Sequence, residues 1–116
     1  MILRLYRGLP GSGKTTVALA ECGSNAFSAD DYFMENGVYR WYAEGLRNAH
    51  RQCQDGVVRA MRAGVKLIGV HNTFTRRFEM KEYLEMARQY DYVVDVVHVA
   101  PSLTPVQLAA RNVHGV

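Results

Sequence analysis

The sequence predicts a three-layer α/β fold, with helices on both faces of a minimal parallel sheet of about four strands. Two observations carry this prediction. Short apolar segments with strand character alternate along the chain with segments of helical periodicity, which is typical of a parallel sheet. The 116 residues contain no repeat, linker or low-complexity segment, and they are enough for one core. We therefore interpret residues 1–116 as a single domain.

The first predicted strand and the loop after it contain the most specific motif of the chain. Residues 2–6 are mostly apolar, and residues 8–15 (GLPGSGKT) match the spacing G-x-x-x-x-G-K-[ST]. In this pattern glycines let backbone N–H groups turn towards phosphate oxygens. The helix predicted at 16–22 directs its positive N-terminal end at the same anion. The motif therefore predicts a P-loop, and the fold becomes a P-loop NTPase fold with ATP and Mg²⁺ as ligands.

Each residue of this loop has a predicted task in holding the nucleotide. Lys14 is expected to reach the β- and γ-phosphates, and the Thr15 hydroxyl is expected to ligate Mg²⁺. The alternative is a glycine-rich turn with an incidental lysine, but the flanking strand and helix are those that a P-loop requires. The predicted nucleotide-binding residues of the loop are Gly8, Pro10, Gly11, Ser12, Gly13, Lys14, Thr15 and Thr16.

Apolar spacing predicts the remaining elements. They are a second strand at 25–28, a helix at about 42–63, a third strand at 66–71, a helix at 76–89, a fourth strand at 91–99 and a last helix from 104 to about 112. The last helix begins with an N-cap, a first-turn proline and a capping-box glutamine. We expect the first strand at the centre, because ligands of such sheets bind where the strand order reverses. The predicted strand order is 2-3-1-4.

Composition adds weaker constraints. The net charge of +3 suits an anionic ligand such as ATP or nucleic acid, and ordinary surface arginines explain it equally well. The two cysteines lie on predicted helices without metal-ligand spacing, so we expect both to be buried. No apolar run is long enough to span a membrane, and the first strand begins too early for a signal peptide. We therefore expect a cytoplasmic protein.

Three further segments carry a resemblance to a known family. They are residues 27–33 (FSADDYF), 71–75 (HNTFT) and 111–116 (RNVHGV). With the P-loop, and in this order, they resemble the P-loop kinase group that contains phage polynucleotide 5′-kinase. They look closer still to the ATP-binding kinase domain of the Nedd-four-binding-protein-two family. The resemblance covers nearly the whole chain, and it implies transfer of the γ-phosphoryl of ATP to a hydroxyl, with an RNA or DNA 5′-hydroxyl as acceptor.

The resemblance also implies roles for individual residues. Asp30 corresponds to the general base, and a carboxylate at the end of the second strand would accept the proton of an attacking hydroxyl. The alternative is that Asp30 and Asp31 cap the next helix or solvate a turn. Arg111 corresponds to a lid arginine over the nucleotide phosphates, with a solvated arginine near a helix end as the alternative. Arg40 follows Asp30 closely in sequence and is a candidate contact to the acceptor.

Two features depart from the family pattern. The third strand ends in His71, where kinases of this class often have an acidic residue near Mg²⁺, a metal that imidazole suits poorly. We expect His71 to bond to the loop after the first strand or to contact a phosphate. The chain also ends soon after Arg111, where the family usually continues, and an open sheet edge would favour a homo-oligomer. A small-molecule kinase and a nucleotide-binding module or ATPase without transferase activity therefore stay open as alternatives.

Two surface features are relevant to a nucleic-acid partner. The long helix carries an arginine stripe at Arg47, Arg51, Arg59 and Arg62. This stripe would track a phosphate backbone, although a solvated helix face is the commoner explanation. The aromatic residues between 32 and 42 would stack on bases, although such clusters more often pack a loop onto the core.

Overall fold

The computed structural model describes residues 1–9, 11–74 and 78–100. Pro10, Arg111 and the helix predicted at 104–112 lie outside the described residues. In chain order the elements are β1 (Ile2–Arg7), α1 (Lys14–Cys22), β2 (Ala26–Phe27), β3 (Met34–Glu35), β4 (Val38–Tyr39), α2 (Leu46–Arg62), β5 (Leu67–Val70), α3 (Phe78–Gln89) and β6 (Val93–His98). No helix in these ranges has both the length and the apolar character needed to cross a membrane.

Four of the strands form one parallel sheet in the order β2–β5–β1–β6. This is the predicted order 2-3-1-4, with the first strand in the interior of the sheet. In register, Leu3 of β1 lies opposite Ile68 of β5 and Val94 of β6. Because all four strands run the same way, the loops that follow β1, β2 and β5 emerge at one edge of the sheet. The candidate site is built at that edge.

Helices cover both faces of this sheet, as predicted. Successive side chains of a strand point to opposite faces, and β1 shows this directly. Leu3 and Leu5 are fully buried in a core shared with α2 and α3. Tyr6 is fully buried on the other face, against Ala18 and Cys22 of α1. The buried state predicted for the two cysteines is also confirmed.

The segment between β2 and α2 differs from the sequence prediction. Residues 34–39 form an antiparallel hairpin of β3 and β4, which the prediction lacked. Asn36 and Gly37 occupy its turn with φ of +52° and +80°, and an Asn-Gly pair is a strong signal for such a hairpin. The long helix also begins later than predicted, at Leu46, because a short 3-10 turn at Ala43–Gly45 precedes it.

Candidate active site

The loop between β1 and α1 is shaped to hold an anion. Gly11 and Gly13 have φ of +81° and +93°, a left-handed conformation that a side chain would strain. The carbonyl oxygen of Leu9 accepts hydrogen bonds from Ser12 N at 3.1 Å and from Lys14 Nζ at 3.2 Å. No side chain caps the N-terminus of α1, so its first N–H groups lack an intrahelical partner and are suited to phosphate oxygens.

Ser12 and Gly8 test whether this loop fits a phosphate group. Ser12 is 1% exposed, and its Oγ has no hydrogen-bond partner among the described residues. A buried hydroxyl left without a partner costs about 1–3 kcal/mol, which a ligand oxygen would recover. A β-carbon at Gly8 would lie 2.7 Å from this Oγ and 2.8 Å from the Val99 carbonyl oxygen. The loop therefore closes over the hydroxyl only with glycine at position 8, and it fits a phosphate.

Lys14 lies at the centre of the site. It is almost fully buried, with 9% of its surface exposed. Burial lowers the pKa of Lys14, while the negative charge of Asp30 acts in the opposite direction and raises it. Lys14, predicted to hold the phosphate, thus interacts electrostatically with Asp30, predicted to take the proton of the acceptor hydroxyl.

Thr15 and His71 meet beside Lys14. The exposed Thr15 hydroxyl lies 3.2 Å from His71 Nδ1. Burial is the main influence on His71 and lowers its pKa, against the opposing charges of Asp31 and Asp30. A neutral ring is able to accept a hydrogen bond from the Thr15 hydroxyl at Nδ1, which leaves the lone pairs of the hydroxyl oxygen free for a cation. The bond from His71 to the loop that follows the first strand is confirmed.

Thr16 is the last predicted residue of the loop, and Thr15 is the predicted ligand of Mg²⁺. Thr16 is exposed in the first turn of α1. Among the described residues there is no cluster of three or more His, Cys, Asp or Glu side chains that would hold a metal by themselves. Mg²⁺ usually keeps several waters and binds through one or two protein oxygens together with substrate phosphates. The Thr15 hydroxyl fits that mode of binding.

Asp30 lies exposed in a short 3-10 turn, Ala29–Phe33, that hydrogen bonds hold on three sides. The Asp30 N–H donates to Ser28 Oγ at 3.1 Å. The first N–H of the turn donates to Asn72 Oδ1 at 2.9 Å, and the Tyr39 hydroxyl donates to Asp30 Oδ1 at 3.0 Å. Because Ser28 caps this turn, the Asp30 carboxylate does not cap it. The other alternative, a carboxylate that solvates the turn, stays open.

Asn72 is a site residue that the sequence analysis missed. Its side-chain oxygen holds the Asp30 turn, and its Nδ2 lies 3.5 Å from the Tyr83 hydroxyl, which donates to Cys53 Sγ at 3.2 Å. These contacts connect the core between α2 and α3 to the turn that carries Asp30. The available signal was the position of Asn72 just after β5, the strand next to β2.

A cavity of about 170 Å³ opens beside Asp30. Its other described lining residues include His50 of α2 and Glu79 of α3. A neighbouring cavity of about 290 Å³ shares His50 and adds Arg47 and Arg51. Two residues of the predicted arginine stripe thus line a cavity next to the one beside Asp30, together with Glu82 of α3.

Arg40 was predicted as a contact to the acceptor, but it is not among the described residues that line the cavity beside Asp30. It is exposed after β4, and its N–H donates to the Phe33 carbonyl oxygen at 2.8 Å. It lines a separate cavity of about 360 Å³ together with Tyr32 and Tyr42, and Asp30 does not line that cavity. The structure thus shows an electrostatic interaction between Lys14 and Asp30 and a contact of Thr15 with His71, and it places Arg40 in a different cavity.

Known proteins are similar to this chain in sequence. A family model described as an AAA domain matches residues 3–114. NEDD4-binding protein 2 of Homo sapiens is 35% identical over 124 residues, which cover 100% of this chain and 7% of that protein. The 2′,3′-cyclic-nucleotide 3′-phosphodiesterases of Pongo abelii and Mus musculus are 31% and 30% identical over 95% of this chain and 27% of theirs. The chain thus spans less than a third of the curated relatives that it matches.

A solved structure agrees on the fold. A chain of the Pnkp1/Rnl/Hen1 complex superposes with a TM-score of 0.63 over 95% of this chain and 38% of that chain. The sequence identity is 16%, so this likeness concerns the fold alone. The predicted P-loop kinase fold is confirmed.

Proposed function

The chain belongs to the AAA-domain family of P-loop proteins, and we propose that it is a kinase that transfers the γ-phosphoryl of ATP to a 5′-hydroxyl of RNA or DNA. One observation carries the proposal. Hydrogen bonds hold the turn that carries Asp30 on three sides, one of them from the Tyr39 hydroxyl to the carboxylate itself. Asp30 also opens onto a cavity and interacts electrostatically with the buried Lys14. A carboxylate oriented in this way beside a phosphate-binding lysine is suited to activating a hydroxyl for phosphoryl transfer.

Each side of the site has its own part in the proposed reaction. The loop amides, the Ser12 hydroxyl and Lys14 bind the triphosphate, and Thr15 supports Mg²⁺. That metal, when bound, neutralises charge on the phosphates. The acceptor oxygen forms a bond to the γ-phosphorus while the bond from that phosphorus to the β–γ bridging oxygen breaks, and Asp30 takes the acceptor's proton. Arg111 is proposed to stabilise the developing charge.

Support for a nucleic-acid acceptor comes from three directions. The segments around Asp30 and Arg111 resemble those of polynucleotide 5′-kinases. Two matching relatives are named for their action on 2′,3′-cyclic nucleotides. Arg47 and Arg51 line the cavity next to the one beside Asp30, together with Glu82, and its two arginines suit a phosphate backbone.

One observation favours a second candidate function, a nucleotide-binding module without transferase activity. His71 is at the end of β5, where a carboxylate near the metal is common in kinases. Binding of ATP without transfer to any acceptor would favour this candidate.

The test is transfer of labelled γ-phosphate from ATP·Mg²⁺ to 5′-hydroxyl RNA and DNA oligonucleotides, with nucleosides as small-molecule acceptors. Asp30→Asn should lower transfer by about 10²–10⁴-fold, the range typical of a lost general base. Asp31→Asn is the matched control, because Asp31 is an exposed carboxylate of the same turn. ATP affinity, measured by calorimetry, should be unchanged in both variants. Label on nucleosides alone, or equal loss of transfer in both variants, would contradict the proposal.

Two further expectations stay predictions. One is the cytoplasmic location. The other is self-association through a sheet edge, for which β6 is the relevant strand, because it ends the described sheet and exposes Val93 and Val96. Sedimentation of the chain at several concentrations would measure the second.

A further inference from the structure

Three exposed aromatic residues follow the turn that carries Asp30 in the chain. Tyr39 is 49% exposed, Trp41 is 54% exposed and Tyr42 is 48% exposed. Large aromatic side chains are usually mostly buried, and a contiguous exposed group of them marks a contact surface. We call these three residues the aromatic platform.

Phe33 holds the aromatic platform in place from the core side. Its own ring is 3% exposed and belongs to the core shared with α2 and α3. Its centroid lies 6.1 Å from that of Tyr39, 6.3 Å from that of Trp41 and 5.5 Å from that of Tyr42. The sequence interpretation that this cluster packs onto the core is therefore correct for Phe33 and Tyr32, whereas about half of each platform residue is exposed. Rings that are already ordered lose little entropy when a ligand covers them.

The aromatic platform is continuous with the candidate site. The Tyr39 hydroxyl donates to Asp30 Oδ1 at 3.0 Å, so this ring is in direct contact with the proposed base. Arg40 lies between Tyr39 and Trp41 in the chain, and it makes no ion pair within the described ranges. Its cation is therefore available beside the rings.

We propose that the aromatic platform stacks on the bases of a single-stranded polynucleotide whose 5′ end lies at Asp30. The inference rests on the proposed function for the position of that 5′ end. Base–aromatic stacking tolerates any sequence, because every base has a π-face, and Arg40 supplies the cation that an adjacent phosphate requires.

The chemistry of this surface favours a single strand over other occupants. The rings carry hydroxyl and indole N–H groups at their edges, and Arg40, Tyr32 and Tyr42 line one cavity together with Glu35. This mixed polar and aromatic surface suits a ligand with polar groups and flat faces better than an apolar protein segment. A duplex keeps its base faces stacked inside the helix and has none to offer. Bases of a single strand are free to leave their own stack and cover the rings.

Trp41 allows a direct test, because it is the single tryptophan of the chain. The full chain, without ATP, is titrated with a 5′-hydroxyl single strand of about ten nucleotides while the tryptophan fluorescence is recorded. A duplex of the same sequence and an abasic strand of the same length are the controls. The single strand should quench Trp41 to saturation, and neither control should do so at the same concentration. Equal quenching by the abasic strand would mean phosphate binding alone and would overturn the proposal.

Variants test the same idea without fluorescence of Trp41. Trp41→Ala and Tyr42→Ala should each weaken binding of an end-labelled single strand about ten-fold by anisotropy, as expected for one lost stacking partner. Leu84→Ala is the matched control, since Leu84 is a 44% exposed apolar residue on α3. ATP affinity should stay unchanged in all three variants, which also shows that they fold. Unchanged strand affinity in both aromatic variants would overturn the proposal.

An aromatic platform that does not bind the strand and a chain that is not a kinase would give different results. Quenching by the single strand without label transfer would support the platform while contradicting the kinase. Label transfer to 5′ ends with an unchanged oligonucleotide KM in Trp41→Ala would support the kinase while overturning the platform. Absence of quenching by every nucleic acid would overturn the platform and would leave a protein partner as the occupant of the exposed rings.

Discussion

The two sides of the candidate site are built in opposite ways. On the phosphate side, Ser12 and Lys14 are buried, and both donate to the Leu9 carbonyl oxygen within a loop that has no room for a β-carbon at Gly8. On the acceptor side, Asp30 is exposed. Asn72 Oδ1 holds its turn by accepting a hydrogen bond from the Ala29 N–H, 43 residues away in the chain. The phosphate side is thus fixed by steric closure, whereas hydrogen bonds from Ser28, Tyr39 and Asn72 hold the exposed acceptor side.

This difference predicts how each side responds to substitution. A change in the closed loop has no space to relax, so it should affect ligand binding and folding together. A change at a hydrogen bond of the exposed turn should alter the position of Asp30 and leave the phosphate loop as it is. Substitutions on the two sides should therefore separate these responses.

Loss of the central cation should have the largest effect. Lys14→Ala removes the buried ammonium that interacts with Asp30, so it should lower γ-phosphoryl transfer about 10²–10³-fold, as loss of a donor to a reacting phosphate or oxyanion does. ATP affinity should fall as well, in contrast to Asp30→Asn. Lys81→Ala on α3 is the control, because Lys81 is exposed and lies on another element. Calorimetry and the transfer assay measure the two effects, and a Lys14→Ala protein that binds ATP normally would contradict the closed phosphate side.

A methyl group inside the phosphate loop should have the next largest effect. Gly8→Ala places a β-carbon 2.7 Å from Ser12 Oγ and 2.8 Å from the Val99 carbonyl oxygen. Overpacking of this kind costs about 1–3 kcal/mol of unfolding free energy, and the displaced Ser12 should also weaken ATP binding.

Gly37→Ala is the matched control on the acceptor side. A β-carbon there would have no atom within 4 Å, so the only cost is the backbone strain of φ +80°. That strain is worth about 1–2 kcal/mol, and ATP affinity should not change. Chemical denaturation with ATP titration measures both variants. Equal ATP affinity in Gly8→Ala and Gly37→Ala would show that the loop relaxes around the added methyl group.

The same difference explains how much of the site the sequence could predict. The strand, the phosphate loop and α1 are contiguous, so the motif alone identified Lys14 and Thr15. The contact of His71 with the loop was expected, because strand order brings β5 next to β1. The bond from Asn72 to the Asp30 turn could not be predicted, since it needs both the strand order and the register of a two-residue strand. The bond from Tyr39 to Asp30 depends on a hairpin whose Asn36–Gly37 signal was present and was not used.

A substitution at Asn72 should have a smaller effect that is confined to the acceptor side. Asn72→Ala removes the acceptor of the 2.9 Å bond from the Asp30 turn, which should cost about 1–2 kcal/mol of unfolding free energy and lower phosphoryl transfer. Asn72→Asp keeps that acceptor oxygen and loses the donor to Tyr83. It should therefore retain more transfer activity than Asn72→Ala. Transfer rates and ATP affinity measure the split, and a fall in ATP affinity equal to the fall in transfer would show that Asn72 supports both sides.

Alkaline pH should reveal the smallest difference in stability, which concerns the core beneath the acceptor side and the core beneath the phosphate side. Burial raises the pKa of Tyr83 below the acceptor side and the pKa of Tyr6 below the phosphate side. The folded state therefore keeps these phenols protonated, whereas the unfolded chain releases their protons above a pKa of about 10. Because the unfolded state then binds fewer protons, stability falls as pH rises.

Removal of either phenol should reduce this alkaline loss. For one tyrosine the loss between pH 9.5 and 10.5 is about 0.7 kcal/mol, so Tyr83→Phe and Tyr6→Phe should each lessen the decline of the unfolding free energy by that amount. Denaturation curves at both pH values give the slope, which is independent of any baseline cost of the substitution. A full reduction for Tyr6→Phe and none for Tyr83→Phe would mean that the acceptor-side layer opens to solvent before the protein unfolds. The dependence of the acceptor side on a few long-range hydrogen bonds would then extend from the exposed turn into the core beneath it.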